Sequence, residues 1–384
     1  MRTALLLVPV GAFVLVLLAL VAPRPTQAEG DDRRLVLVAT FETGRGKGAA
    51  EVVSVQQATH RVVLANAAYN EVGVLDLRDP NAPRRFARDP LPVTDEEFLN
   101  SVAVHPTEPY VLAVVASTHP RTPGRLFAVG LDDGKLLGAY EIGVGPDDVK
   151  ISPDGGNAVV ANEAELCTWD AAAKRVRSEP GTIAVVDLAG GPGAARITQI
   201  ALPDLTGHAG VTQRTDSRFL ERAMDRDGSG KIEGEGEVAV LVPLDARPQH
   251  IEPEYAAYAP DGRRVYVTLQ ENNAVAVVDP IEKRLLRVIG LGVTEHAADL
   301  KEDGTLDFSD TLRAFREPDG IAVTPDGRYF VTADEGDTEP KASETPAGRI
   351  TGGGRTVSVF DAVTGKLVGD TGNQIDAAAA AAGV

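Results

Sequence analysis

Cysteine is almost missing from this chain: Cys167 is the only one among 384 residues. No internal disulfide can form, so packing, or packing with a bound metal, must hold the fold. Cys167 sits beside Trp169 in what reads as a long loop, with no basic neighbour to activate the thiol. Histidine is scarce too. His60, His105, His119, His208, His250 and His296 show no spacing typical of a zinc site or a nucleophile–base triad. His60 and His105 fall in turns and are expected to be exposed. Basic charge is also in short supply, with 38 Lys and Arg against 56 Asp and Glu. The net charge of −18 argues against nucleic acid and anionic membrane as partners. Beyond the N-terminus no apolar run is long enough to cross a bilayer.

The N-terminus is different. Arg2 precedes an apolar run from Ala4 to Ala22, broken only by Pro9 and Gly11. Pro23 and Pro25 end it, and Thr26-Gln27-Ala28 offers small residues where a signal peptidase reads. Residues 1–28 therefore read as a secretory signal cleaved after Ala28. An uncleaved anchor helix is the alternative, and both place the remainder outside the cytoplasm: secreted, periplasmic or at the cell surface. The expected mature domain, 29–384, carries 36 basic and 56 acidic side chains, a net −20. Such a surface either keeps the protein in solution or attracts cations.

Periodicity decides the fold class. Three segments share one pattern: Ser152-Pro153-Asp154-Gly155, Ala259-Pro260-Asp261-Gly262 and Thr324-Pro325-Asp326-Gly327, each leading into a β-branched or aromatic run. A Pro-Asp-Gly turn feeding such a run reads as a hairpin turn and a strand. A third strand ending in aspartate follows each time: Ile183 to Asp187, Ala274 to Asp279 and Val357 to Asp361. Two looser units precede them, one from Val52 and one from Val102. A unit of about 45 residues with four strands is a propeller blade. The prediction is an all-β propeller, about five blades long, with two short insertions near 204–250 and 292–316. Only the segments near Phe219 and Leu312 read as helix. Leu35 to Phe41 reads as a strand that seals another blade. Gln374-Ile375-Asp376 and the alanines after it read as the opening of a further segment, so the domain is expected to be incomplete there.

Several runs carry a family resemblance. They are Glu252-Pro253-Glu254-Tyr255 with Val265 through Asp279, Pro318-Asp319-Gly320-Ile321-Ala322, Val331 through Asp337, Gly353-Gly354-Arg355 through Asn373, and Ala49-Ala50-Glu51. Together they resemble the choice-of-anchor I domain family over most of residues 34–384. The resemblance implies a seven-bladed propeller on exported or surface proteins held by varied C-terminal anchors. Asp334 departs from that pattern, standing where the family usually has asparagine.

Alignment of the blades on the residue six places before the turn proline gives a column: Asn100, Asp147, Glu254 and Asp319, with Glu51 in the first blade. These residues open the innermost strands, which crowd round one end of a propeller's channel. A second column closes the second strands: Asn66, Asn162, Gln270 and Asp334, followed by Ala67, Glu163, Glu271 and Glu335. Asp148, Glu252, Glu317 and Asp337 stand beside them. Carboxylates converging in one funnel must be screened, protonated or neutralised by a cation. Oxygen donors without histidine or cysteine suit Ca²⁺ or Mg²⁺ rather than zinc. The plainer alternative is a set of strand ends facing water.

The first insertion holds Asp225-Arg226-Asp227-Gly228-Ser229-Gly230-Lys231-Ile232-Glu233. It resembles an EF-hand loop, with oxygens on Asp225, Asp227, Ser229 and Glu233 at loop positions 1, 3, 5 and 9 and a carbonyl from Lys231. Gly236 stands where the bidentate glutamate belongs, so Ca²⁺ binding there is expected to be weakened, or the stretch is simply an acidic turn. The second insertion offers Asp299 to Asp310, but Lys301 occupies a ligand position. Two functions are carried forward. One is a binding module stabilised by Ca²⁺, whose partner is an extracellular protein, a glycan or a small molecule. The other is a metal-dependent hydrolase of esters, lactones or phosphoesters. Few Lys or Arg fall at the rim, which favours the module.

Overall fold

The computed structural model describes residues 37–43, 50–165, 167–170, 175–205, 207–211, 251–301, 304–335 and 353–383. It also describes the two-residue strands Leu5–Leu6, Val16–Leu17 and Met224–Asp225. Five four-stranded antiparallel sheets dominate. Blade one comprises Val53–Gln56, Arg61–Asn66, Glu71–Asp76 and Arg84–Pro90. Blade two comprises Glu97–Val104, Tyr110–Ser117, Pro123–Gly130 and Leu136–Val144. Blade three is Pro146–Ile151, Asn157–Asn162, Thr182–Asp187 and Arg196–Ala201. Blade four is Pro253–Tyr258, Val265–Leu269, Ala274–Asp279 and Arg284–Gly290; blade five is Pro318–Val323, Tyr329–Asp334, Val357–Asp361 and Leu367–Asp370. The innermost strand of each blade packs against that of the next, as the propeller reading requires.

The strands hold because both faces of the middle blades are covered. The second strands of blades two, three and four are buried along their whole length. Side chains alternate between faces with period two, so each blade feeds two cores. Val63, Ala65 and Val74 of blade one meet Val102, Val111 and Phe127 of blade two. On the far side of blade two, Leu112, Val114 and Leu126 meet Val149, Val160 and Val186 of blade three. Val159, Ile183 and Val185 then meet Val265, Val267 and Ala276 of blade four. Tyr266, Val275 and Val277 close the series against Phe330 and Phe360 of blade five.

The Pro-Asp-Gly turns behave as read. Gly155, Gly262 and Gly327 adopt φ of +77°, +68° and +69°, a region that costs a side-chain-bearing residue dearly. One of these turns also corrects an expectation. His105 is 4% exposed rather than solvated. Its Nδ1 accepts the backbone N–H groups of Thr107 (3.2 Å) and Glu108 (2.8 Å), and its Nε2 lies 3.2 Å from the Gly155 carbonyl. Blade two's turn is thereby fastened to blade three's.

Asparagines fasten other blades. Asn70 and Asn273 sit in left-handed turns after the second strands of blades one and four, at φ +52° and +51°. Asn70 accepts from the Leu99 amide at 2.7 Å and donates to the Glu97 carbonyl at 3.0 Å, both in blade two. Asn273 accepts from the Arg316 and Glu317 amides at 2.8 and 3.2 Å, just ahead of blade five.

Three local assignments differ from the sequence reading. The segment near Leu312 is a strand, Asp310–Phe315, paired with Val293–Ala298. Its short apolar run buries alternate residues, Leu312 and Ala314, which is strand parity. The second insertion is therefore a β-hairpin, not a helix. Cys167 lies in the hairpin Cys167–Asp170 and Arg175–Ser178 between blade three's second and third strands, not in a loop. Residues 37–43 run beside blade one without joining a sheet, with Phe41 packed against the cluster of Val62, Leu64 and Leu75. The helix near Phe219 lies outside the described residues. Among the described residues the one α-helix is Gln374–Ala382, where alanine's high helical propensity decides the local structure. No helix among the described residues is long and apolar enough to cross a membrane.

Candidate functional site

The alignment column coincides with a repeated irregularity. Pairing between the first and second strands slips between Leu99 and Ser101 in blade two and between Pro146 and Asp148 in blade three. It slips between Pro253 and Ala256 in blade four and between Pro318 and Gly320 in blade five. The residues left out of the ladder are Asn100, Asp147, Glu254 with Tyr255, and Asp319. An extra residue in a strand bends it and re-aims a side chain away from the pleat. Four consecutive blades thus free at least one side chain at the same point of the innermost strand, and blade four frees two.

Inter-blade bonds gather these points round one channel mouth. Asn100 Nδ2 donates to the Pro146 carbonyl at 2.9 Å. Thr268 Oγ1 of blade four donates to the Asp319 carbonyl of blade five at 3.0 Å. Asp148 is fully buried and joins three blades. It accepts from Ser101 Oγ of blade two at 2.8 Å, from its own blade's Lys150 Nζ at 2.5 Å and from the Ala256 amide of blade four at 3.0 Å. Lys150 also lies 5.4 Å from the centre of the Tyr255 ring.

The carboxylates feel one another across blades. Asp147 is pushed up from 3.8 to about 7 by burial first, then by the charges of Asp148 and Asp319, with Lys150 opposing. Glu254 is pushed up from 4.5 to about 9 by burial and by Asp147, Asp319, Glu252 and Glu335. Glu163 is raised by burial, then by Glu165, Glu254, Glu252 and Asp147. Burial raises Asp319 as well. Each of these four keeps some accessible surface, so ions and protons from solvent reach a mouth whose walls disfavour its charge. Sequence reasoning missed Glu165, because Ala164 takes a left-handed φ of +55° just past the strand and strand parity does not extend to it.

The second column divides by the same parity. Asn66 Nδ2 donates to Glu71 and Asn162 Nδ2 to Thr182 Oγ1, each within its own blade. Asp334 likewise turns from the mouth into blade five. It accepts from Thr332 Oγ1 at 2.7 Å and from the hydroxyls of Thr356 and Ser358, and the Arg316 guanidinium lies 3.6 Å away. Burial raises its pKa nonetheless. Arg316, 1% exposed, also pairs with Asp370 at 2.8 Å and donates to the Leu291 and Val293 carbonyls. It locks blade four, the second insertion and blade five together. The residues one step further on, Glu163 and Glu335, bear on the mouth; Glu335 accepts from Gln270 Nε2 at 2.6 Å. Glu271 is buried in the turn that leads to Asn273. Glu51 stands exposed ahead of blade one's first strand.

The EF-hand-like loop falls outside the described residues: Asp227, Ser229, Lys231 and Glu233 have no structural account, and Asp225 enters only as the end of a two-residue strand parallel to Cys167–Thr168. In the second acidic stretch Lys301 supplies the positive charge itself. Its Nζ lies 2.8 Å from Ser309 Oγ, 3.3 Å from Asp310 and 3.6 Å from Asp307. Among the described residues no three His, Cys, Asp or Glu side chains form a ready-made metal cage. The mouth offers oxygen donors of the hard type that Ca²⁺ takes.

The class of protein follows from the repeated blades, and comparison with known families gives the same class. The choice-of-anchor I domain profile matches residues 51–352. The chain belongs to the choice-of-anchor I domain family. Fold and family together point to a surface-associated interaction module. No curated protein sequence matches the chain. Among solved structures it is similar to Kuenenia stuttgartiensis hydrazine synthase, at 14% identity and TM-score 0.43, over 82% of this chain and 77% of that one. It is similar to a chain of a nidogen/laminin complex at 10% identity and TM-score 0.42, over 86% and 88% of the two chains. A functionally unknown protein from Desulfotomaculum acetoxidans DSM 771 is similar at 13% identity and TM-score 0.40, over 83% and 84%. Likeness this distant carries no activity across.

Proposed function

We propose that this protein is an exported, surface-associated propeller that acts as a binding module, and that the acidic channel mouth takes up Ca²⁺. One observation carries the cation reading: Asp147, Glu254 and Asp319 come from three successive blades, and each is harder to ionise for being packed at a common mouth. A divalent cation relieves that repulsion and releases the protons that otherwise sit on Asp147 and Glu254. With no cage already closed, the ion draws the carboxylates inward or binds them partly through water. Because the mouth is built from several blades, its occupancy stiffens the blade-to-blade joints and sets the face that a partner meets. The partner is an extracellular protein, a glycan or a small molecule. The EF-hand-like loop at Asp225 to Glu233 is a second place for the same ion. The apolar run at residues 4–22 supports export.

Calorimetric titration of the full chain with Ca²⁺, in buffers of different ionisation enthalpy, tests the reading. Binding with proton release near pH 7, lost in Glu254→Gln, is expected. No heat and no change in melting temperature at millimolar Ca²⁺ would remove the proposal. Ca²⁺-dependent turnover of an ester, lactone or phosphoester, abolished by Glu254→Gln, would replace the module with a hydrolase.

A further inference from the structure

The two ends of the blade series are finished differently. Blade one's outward face is closed. Phe41 packs there against Val62, Leu64 and Leu75, all buried, and Arg85 ties the same segment down by donating to the Thr43 carbonyl at 2.8 Å. Blade five's outward face is open. Phe330 and Phe360 point back to blade four, so strand parity turns Val331, Ala333, Val357 and Val359 the other way. Ala322 and Gly369 extend that face to the inner and outer strands, paired with Val331 and Val359. Ala322 and Ala333 are exposed, and the three valines are only partly buried.

The same positions are sealed one blade earlier. Counted from the Pro-Asp-Gly turns and from the closing aspartates, blade four carries Tyr266, Thr268, Val275 and Val277 there, each 2% exposed or less. Among the described residues no blade packs on blade five in turn. The helix after it, Gln374–Ala382, buries none of its own residues. The open face is apolar and carries no charge across its middle. A Cβ at Gly369 would meet nothing within 4 Å, so a second surface can approach closely. Asp361, at one end of the face, is engaged with its own turn, accepting the Val363 and Thr364 amides.

We propose that this face pairs with the same face of a second copy of the chain, sheet on sheet about a two-fold axis. The segment over blade one denies blade five a head-to-tail partner. Two identical open faces satisfy each other instead, and assembly stops at two. Sheets paired in this way stand about 10 Å apart with their side chains interleaved. Four strands about 4.8 Å apart, with four to six residues each at about 3.3 Å per residue, make a face of roughly 19 by 18 Å. With the exposed Leu367 and Val368 at its rim, pairing removes on the order of 1,000 Å² of accessible surface, near the lower bound of a specific interface. The pair is therefore reversible and of micromolar strength. Apolar contact holds it against the repulsion of two bodies that each carry a net −18.

Sedimentation velocity on the purified protein, from about 1 to about 200 μM and in chelator so that no cation bridges the acidic mouths, tests this. A monomer–dimer equilibrium is expected, tightening several-fold as added salt screens the like charge. Val331→Glu puts a carboxylate at the centre of the face and should leave only monomer at the highest concentration, with the far-UV spectrum unchanged. If that variant misfolds, Ala322→Glu and Ala333→Arg, at exposed positions, serve the same purpose. A protein that stays monomeric throughout overturns the proposal and means that something other than a second copy covers blade five. So does association untouched by these variants, weakening by salt, or growth beyond the dimer, which would bring blade one's face into the contact.

Discussion

Replacing Asp147 by asparagine should stabilise this protein above neutral pH, an unusual result for a part-buried residue that feels the charges of its own and another blade. Asp147 ionises only near pH 7 in the folded protein, against 3.8 when free. Glu254 ionises near pH 9, against 4.5. The folded state therefore holds more protons than the unfolded chain between about pH 4 and pH 9, and stability must fall as pH rises through that window. The contribution is fully present below the free carboxyl values and lost once the folded values are passed. For Asp147 the gap is worth on the order of 4 kcal/mol at ~1.4 kcal/mol per pH unit. Coupling to Glu254 and Asp319, together with solvent at the mouth, reduces this, and about 1–3 kcal/mol is expected. Asp147→Asn removes the charge and keeps the shape. At pH 8 in chelator its melting temperature should exceed the wild type's by several degrees, since about 1 kcal/mol moves a domain of this size ~2–4 °C. At pH 4 the two proteins should melt together. Millimolar Ca²⁺ should raise the wild type at pH 8 and help the variant less. The assay is a set of melts from pH 4 to pH 9 with and without Ca²⁺. A flat wild-type profile, or a variant less stable than wild type at pH 8 in chelator, would refute the reasoning.

Arg316→Met should cost about 3–5 kcal/mol, because it strands the buried Asp334 carboxylate and frees Asp370 while removing the clamp between blades four and five; denaturant melts check this, and a loss below 1 kcal/mol would mean that Asp334 is held by its hydroxyl neighbours alone. Gly155→Ala should destabilise by more than about 2 kcal/mol through the left-handed backbone and the clash of overpacking, since its Cβ would fall 2.1 Å from His105 Nε2. Gly262→Ala, with only a Pro153 carbon at 3.8 Å, should cost less, and the difference between the two measures the blade-to-blade contact apart from the turn.

The blades were legible because their information is local. Val159-Val160-Ala161 after Pro153-Asp154-Gly155 specifies a turn and a strand without reference to the rest of the chain. The mouth was legible for a related reason: in a repeat, equal offsets from a turn mean equal places in space. Asp147, Glu254 and Asp319 accordingly lie near enough to bear on one another's ionisation. Parity was the missing rule for the second column. Asp334 and Glu335 are neighbours in sequence but leave the strand on opposite sides, and only one bears on the mouth. Leu312 was misread because a short apolar run does not distinguish a strand from a helix turn. His105 was misjudged because burial of a turn residue depends on the adjacent blade's Gly155, which no local pattern reports. Arg316 and Asn273 were invisible for the same reason, since their partners lie on three different elements.

The slipped residue at the head of each innermost strand has an evolutionary corollary. Because Asn100, Asp147, Glu254 and Asp319 stand outside the ladder, exchanging any of them leaves strand register as it was, and only Asn100 also ties one blade to the next. Scaffold and rim are then free to drift separately. A lineage could retune the charge, size or ligand preference of its central opening one blade at a time, with little risk to folding.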